Sequence, residues 1–277
     1  MKTKWFAFMA VSLAVVIGSA SADIFWNGSA GDTLWRTGDN WNTGQAPAPG
    51  VGAIFINNQT NGTLVLVDAL TDTTLDSDIF GPEWGMTLEI DGGNLTTTGW
   101  SFAPIGDVTN PSIITVRNGG NLTVHNLLLG DNWWFGTAPG VIFNLYDTST
   151  VTATDWCWLG GKMNLYGGTV DITGSMNMDS NAQGFANLNI HGGTLIVRGG
   201  DLSSVIDGWI ASGYLSAYDT TPGERGAGSI VVDTETIPGG TILTATPSLA
   251  AREPNPLPQN PDGSVGTLIS SSETEPV

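Results

Sequence analysis

Carboxylate chemistry is the first question this chain raises, because Asp91, Asp107, Asp131, Asp147, Asp155, Asp171, Asp179 and Asp207 recur along it. Glycoside cleavage needs two carboxyl groups facing each other across a cleft, roughly 5 to 10 Å apart, with one holding its proton. Most of these aspartates sit beside Gly, Asn, Thr or Ser, where an aspartate caps a turn, and that placement accounts for them without catalysis. Lyase chemistry would set a basic residue beside a calcium-binding acidic cluster. Arg117 and Arg198 flank corners, but neither belongs to a recognisable acidic group. His125 and His191 stand apart from each other, which argues against a histidine metal site or triad. Neither Gly-Lys-Ser/Thr nor Gly-x-Ser-x-Gly occurs. No catalytic residue, cofactor or metal ligand is therefore assigned. Calcium stays open at the Asp-rich loops, because oxygen ligands alone can hold it.

The tryptophans are the other chemistry-bearing group, eleven in all. Trp156 and Trp158 alternate on one stretch, so they share a side with Cys157 opposite; Trp100 and Trp209 hold similar places elsewhere. Two arrangements follow, an internal aromatic stack or an exposed ladder on whose indoles the CH faces of sugars pack. The internal one is the expectation for Trp156 and Trp158. Trp133, Trp134 and Phe135 differ, since they follow Gly130-Asp-Asn in a loop, where exposed aromatics serve a glycan or a protein contact. With Trp84, in Pro82-Glu-Trp-Gly85, they form the candidate ligand platform.

The elements that must carry these residues are legible in a repeat. A unit of apolar-x-apolar, a corner and a second apolar stretch occurs five times. It begins at Leu88-Glu-Ile90, Ile114-Thr-Val116, Phe143-Asn-Leu145, Met163-Asn-Leu165 and Leu188-Asn-Ile190, and four of the five corners contain Gly-Gly. From Ile90 the steps to Val116, Leu145, Leu165 and Ile190 are 26, 29, 20 and 25 residues, a period at which one repeat makes one solenoid coil. Alternation turns every second side chain inward, so each coil offers an apolar slice that only its neighbours can cover. A third apolar stretch follows each copy: Trp100-Ser-Phe102, Leu127-Leu-Leu129, Trp156-Cys-Trp158-Leu, Met176-Asn-Met178 and Trp209-Ile-Ala-Ser-Gly213.

The expected fold is thus all-β, a single-stranded parallel β-helix, right-handed, with three short strands per coil and a cap at each end. Asn94, Asn121, Thr150, Thr169 and Thr194 follow the corners and should stack as an Asn pair and a Thr ladder. Ala53-Ile-Phe55-Ile56, the run 63–67 and Ile79-Phe80-Gly81 read as irregular opening coils. Tyr214–Tyr218, Ser229–Asp233 and Thr241–Ala245 read as terminal, antiparallel strands closing the last coil.

The ends and the charge place the chain. Lys2 and Lys4, the apolar run from Trp5 through Ile17 and Ala20-Ser21-Ala22 have the layout of a secretory signal peptide cleaved before Asp23. The run falls short of the ~20 residues that span a bilayer, so no membrane insertion is expected after its removal. Three segments result: 1–22 as signal peptide, 23–246 as the solenoid domain with its Trp-rich N-terminal cap, and 247–277 as a Pro-rich linker or tail. Loss of Lys2 and Lys4 takes the net charge from −18 to −20, which excludes nucleic acid and anionic lipid as natural partners and disfavours acidic polysaccharide. Neutral glycans and cations remain. Cys157 is the only cysteine, so no internal disulfide can form in an exported chain.

The mature N-terminus runs Trp26-Asn-Gly28, Trp35, Asn40-Trp41, Pro47-Ala-Pro49-Gly50 and Ala53-Ile-Phe55. It resembles the opening segment of secreted bacterial β-helical proteins related to autotransporter-associated and PEP-CTERM-type repeat proteins, such as those of Planctomycetes, Verrucomicrobia and Lentisphaerae. Trp209 through Ala245 is similar to their closing region. The resemblance implies a large extracellular protein with adhesive, matrix or glycan-associated roles, partnered by a glycan or a cell-surface protein, and it implies no activity. The chain departs from that pattern in showing neither a C-terminal sorting motif nor an outer-membrane barrel, so surface attachment and free secretion both stay open. The reading is a non-catalytic structural or adhesive module with weak neutral-glycan affinity; the alternative is a polysaccharide-degrading β-helix enzyme.

Overall fold

The computed structural model describes residues 22–57, 64–132, 136–137, 140–178, 186–218 and 228–247. Short strands rich in Val, Ile, Leu and Thr alternate inward apolar with outward polar side chains, and tight corners separate them. They stack in three sheets and form a β-solenoid. The first face holds seven parallel strands: Leu64–Asp68, Thr87–Asp91, Ser112–Arg117, Val141–Leu145, Lys162–Leu165, Asn187–Ile190 and Leu215–Ala217. All five copies of the repeat pair in the register their sequence implies, and Val65/Val67 and Leu215/Ala217 add a strand at either end. Tyr214–Tyr218 thus continues the solenoid in parallel and is no antiparallel closing strand.

The second face stacks Asp72–Leu75, Asn94–Thr97, Asn121–Val124, Thr150–Ala153, Thr169–Ile172 and Thr194–Val197 in parallel. Asn94, Asn121, Thr150, Thr169 and Thr194 are successive partners in this ladder. Asn121 donates through Nδ2 to Asn94 Oδ1 at 2.7 Å and accepts at Oδ1 from the Thr150 hydroxyl. Thr169 and Thr194 continue the column. Asn121→Ala removes both bonds, so we expect a loss of about 1 to 2 kcal/mol, read as a lower urea midpoint at unchanged slope.

The corner between these faces explains its glycines. Gly119 holds φ at +76°, and a Cβ on Gly120 would lie 2.7 Å from Ile90 O of the coil before. One glycine supplies the left-handed turn, the next the space for a neighbouring backbone.

The third face has seven parallel strands: Ile24–Phe25, Ile54–Phe55, Ile79–Glu83, Ser101–Ile105, Asn126–Leu129, Cys157–Leu159 and Met176–Met178. The expected fifth third-face stretch, Trp209–Gly213, is instead the end of a helix, Ser203–Ser212. Ile206, Trp209 and Ile210 recur at helical spacing, and Gly213, at φ +78°, ends the helix by donating to the Ile210 and Trp209 carbonyls. Leu202 and Ile206 are buried against the final coil. Thr241–Pro247 and Gly228–Asp233 then close the second face antiparallel, as a capping hairpin. At the other end Trp26, Trp35 and Trp41 are buried edge to face, with Trp41 Nε1 donating to Trp35 O at 2.8 Å.

Between the faces runs one apolar core, in which Leu88, Ile90, Ile114, Val116, Phe143, Leu145, Met163, Leu165, Leu188 and Ile190 are fully buried. The segments 1–21 and 248–277, which hold nearly all of the expected signal peptide and tail, lie outside the described residues.

Candidate functional site

Register on the third face decides where the aromatic chemistry sits. Leu127 pairs with Cys157, Leu128 with Trp158 and Leu129 with Leu159, and Cys157 pairs on with Met176. Cys157 and Leu159 therefore point into the core, while Trp156 and Trp158 face outward and are only half buried. The expected internal stack is corrected: a coil's slice holds a thiol and a leucine beside Leu127 and Leu129, and two indoles would overfill it. The signal was present in the sequence, because aligning Leu129-Gly130 with Leu159-Gly160 sets Cys157 against Leu127. Burial pushes the Cys157 thiol up to about 12. It should resist iodoacetamide in the folded protein at pH 8 and react fully in denaturant, and native labelling at the denatured rate would contradict the burial.

Among the described residues, three groups of touching aromatics lie on the outer surface of the solenoid. Phe25, Phe55 and Phe80 stack along the third face at 4.8 and 5.2 Å. Tyr146 and Tyr166 stack along the first face at 4.8 Å, His191 follows tilted by 39° at 4.8 Å, and Tyr218 meets His191 edge to face at 5.3 Å. In the phenylalanine column the ring faces are turned to one another. The third group differs. Trp100 and Trp156 meet edge to face at 6.3 Å, as do Trp156 and Trp158, so these rings form a cluster and not a stacked column. Trp100 is 51% exposed.

This tryptophan corner is built where the second face turns into the third. Asn126, fully buried, donates from Nδ2 to Trp100 O at 2.7 Å and accepts the Trp156 N–H at 3.3 Å, which ties three coils together beneath the indoles. His125 is the corner residue of the coil between Trp100 and Trp156. Its Nδ1 lies 3.2 Å from Thr154 Oγ1 and its Nε2 3.8 Å from Asp155 Oδ2. Donors and acceptors thus stand beside the exposed Trp100 and its aromatic neighbours, so His125, read from sequence as isolated, belongs to a group.

Of the expected platform, Trp133, Trp134 and Phe135 lie outside the described residues. Trp84 is 42% exposed, has φ +28° and donates its N–H to Ile105 O. It follows the end of its third-face strand, whereas Trp100 precedes the start of the next, so the width of that face separates Trp84 from the corner.

The carboxylates go mainly to structure. Arg117 reaches Glu89 at 2.5 Å and Asp91 at 3.0 Å, Arg198 forms a two-bonded pair with Asp171 at 2.7 and 2.6 Å, and Arg36 holds Asp68. The partners of Arg117 and Arg198 sit one coil away in space and about 27 residues away in sequence. Asp107 accepts from the Thr109 and Asn110 amides and the Thr109 hydroxyl, and these bonds hold its carboxyl below the usual range. Asp147 accepts from Asn118 N, and Asp207 lies in the helix. Asp131 begins a two-residue strand, and Asp179 lies outside the described residues. Glu83 behaves differently: burial raises its proton affinity, partly offset by a hydrogen bond with Asn57. Among the described residues no group of three or more His, Cys, Asp and Glu is placed to hold a metal ion, and no helix is long and apolar enough to cross a membrane.

Fold and site together define a parallel β-solenoid with an exposed tryptophan corner. No family model matches the chain, and neither the curated proteins nor the solved structures contain a match to it.

Proposed function

We propose that this chain is a non-catalytic, exported structural or adhesive module with weak affinity for neutral glycans. One observation carries the reading: the polar chemistry is spent between coils. All three described arginines are bound to aspartates of a neighbouring coil, and the Asn94–Asn121–Thr150 bonds run along the same axis. Such contacts stiffen a scaffold and leave few charges for an anionic partner. A role outside the cell fits the leader-like N-terminus and is also what the resemblance to secreted β-helical repeat proteins implies.

Two measurements test this. Expressed with its own N-terminus in a Gram-negative host, the protein should leave the cytoplasm and begin at Asp23; an uncleaved cytoplasmic product removes the export reading. Incubation with neutral and acidic polysaccharides should release no reducing ends and no unsaturated products. Release from any of them would instead support the degrading enzyme, for which Glu83, whose proton affinity burial raises, is the specific observation.

A further inference from the structure

We infer that the tryptophan corner is a binding site for a neutral polysaccharide lying along the solenoid axis, with Trp100 and Trp156 as ring platforms and His125, Thr154 and Asp155 as hydroxyl partners. The inference rests on the glycan part of the proposed function and moves it from the loop carrying Trp133 and Trp134 to a corner built by three successive coils.

The occupant follows from chemistry at the site. Trp100, 51% exposed, and the partly exposed Trp156 beside it offer indole surface that suits the CH faces of pyranose rings. Hydroxyl groups need donors and acceptors at the rim of those faces, and the His125 imidazole, Thr154 hydroxyl and half-exposed Asp155 carboxylate supply them. An apolar peptide would cover Asp155 without replacing its water, which is costly. An acidic polymer meets a chain of net charge −18 whose described arginines are already paired. Trp100 and Trp156 come from coils two apart with His125 between them, yet their ring centroids lie 6.3 Å from each other. That separation seats adjoining sugar rings. Asn177, exposed and next in register after Trp158, extends the surface by one more coil.

The test is affinity electrophoresis of the whole chain through gels cast with soluble β-glucan, mannan, galactomannan, xylan or starch, and with alginate and polygalacturonate as acidic controls. At least one neutral polymer should retard the protein, and Trp100→Ala and Trp156→Ala should each weaken that retention about tenfold, with unchanged circular dichroism. Asp155→Asn should weaken it less. Since Trp100 is largely exposed, its variant separates binding from folding. Retention unaffected by Trp100→Ala and Trp156→Ala but lost in Trp134→Ala overturns the corner and restores the loop. Equal retention on acidic polymers overturns the neutral class. Retention on none removes both glycan assignments while the scaffold reading stands.

Discussion

Phe143→Ala should cost about 3 to 5 kcal/mol and lower the unfolding midpoint more than any other single truncation of the first-face core. Phe143 is fully buried, with Ile114 and Met163 as its register partners in the coils on either side. Loss of the ring therefore opens a cavity bordered by three coils rather than one. Main-chain bonds fix the spacing of those coils, so they cannot collapse into the gap, and the cavity part of the penalty is felt in full. Each coil is stabilised chiefly by its neighbours, so unfolding of Phe143→Ala should begin near the middle of the chain. Hydrogen exchange would show this as protection lost first around 112–117 and 162–165. An unfolding free energy within about 1 kcal/mol of wild type would contradict the packing described.

Gly168→Ala should destabilise by roughly 3 kcal/mol or more, from two sources that add. Gly168 has φ +69°, a region that penalises any residue with a side chain, and its added Cβ would fall 2.2 Å from Ser149 O of the coil before. Leu145 Cγ and Cδ2 lie 3.1 and 3.2 Å away on the other side, so the new methyl group cannot escape by tilting. At Gly119, equally left-handed at φ +76°, an added Cβ meets only Thr148 Oγ1 at 3.9 Å. Gly119→Ala should therefore lose only the conformational part, about 1 to 2 kcal/mol. Denaturant melts of the pair separate steric from conformational cost, and equal losses would show that contact with the neighbouring coil is unimportant.

The corner column was legible because in every copy the polar residue directly precedes the apolar residue that opens the next stretch, as in Asn94-Leu95 and Thr194-Leu195, so Asn94 through Thr194 could be aligned although the corner varies by one residue in length. The third face resisted the same counting. Between the second and third strands the chain spends two residues at His125-Asn126 but three at Thr154-Asp155-Trp156, and that one residue decides which side of the sheet Trp156 and Trp158 occupy. The helix was missed for a related reason. Trp209-Ile-Ala-Ser-Gly213 imitates a third strand in composition, and only the recurrence of Ile206, Trp209 and Ile210 betrays a helical period. The candidate site was half legible. Exposed tryptophan was sought as the ligand-bearing group, but pairing Trp100 with Trp156, 56 residues on, requires knowing that their coils are separated by only one other. The arginine–aspartate pairs hid behind the same distance.

The reversed strand direction at Thr241–Pro247 bears on how such a molecule can change in length. Ile142–Leu145 and Lys162–Leu165 match residue for residue at an offset of 20, so a tandem duplication of 142–161 would insert one more rung and lengthen the rod by ~4.8 Å. Both termini would keep the surfaces they cover now. The same duplication placed beyond the hairpin would meet a ladder of opposite polarity and have nothing to continue. Descendants of this gene can therefore acquire or lose rungs only in the interior, and a comparison of relatives should find their size differences concentrated there.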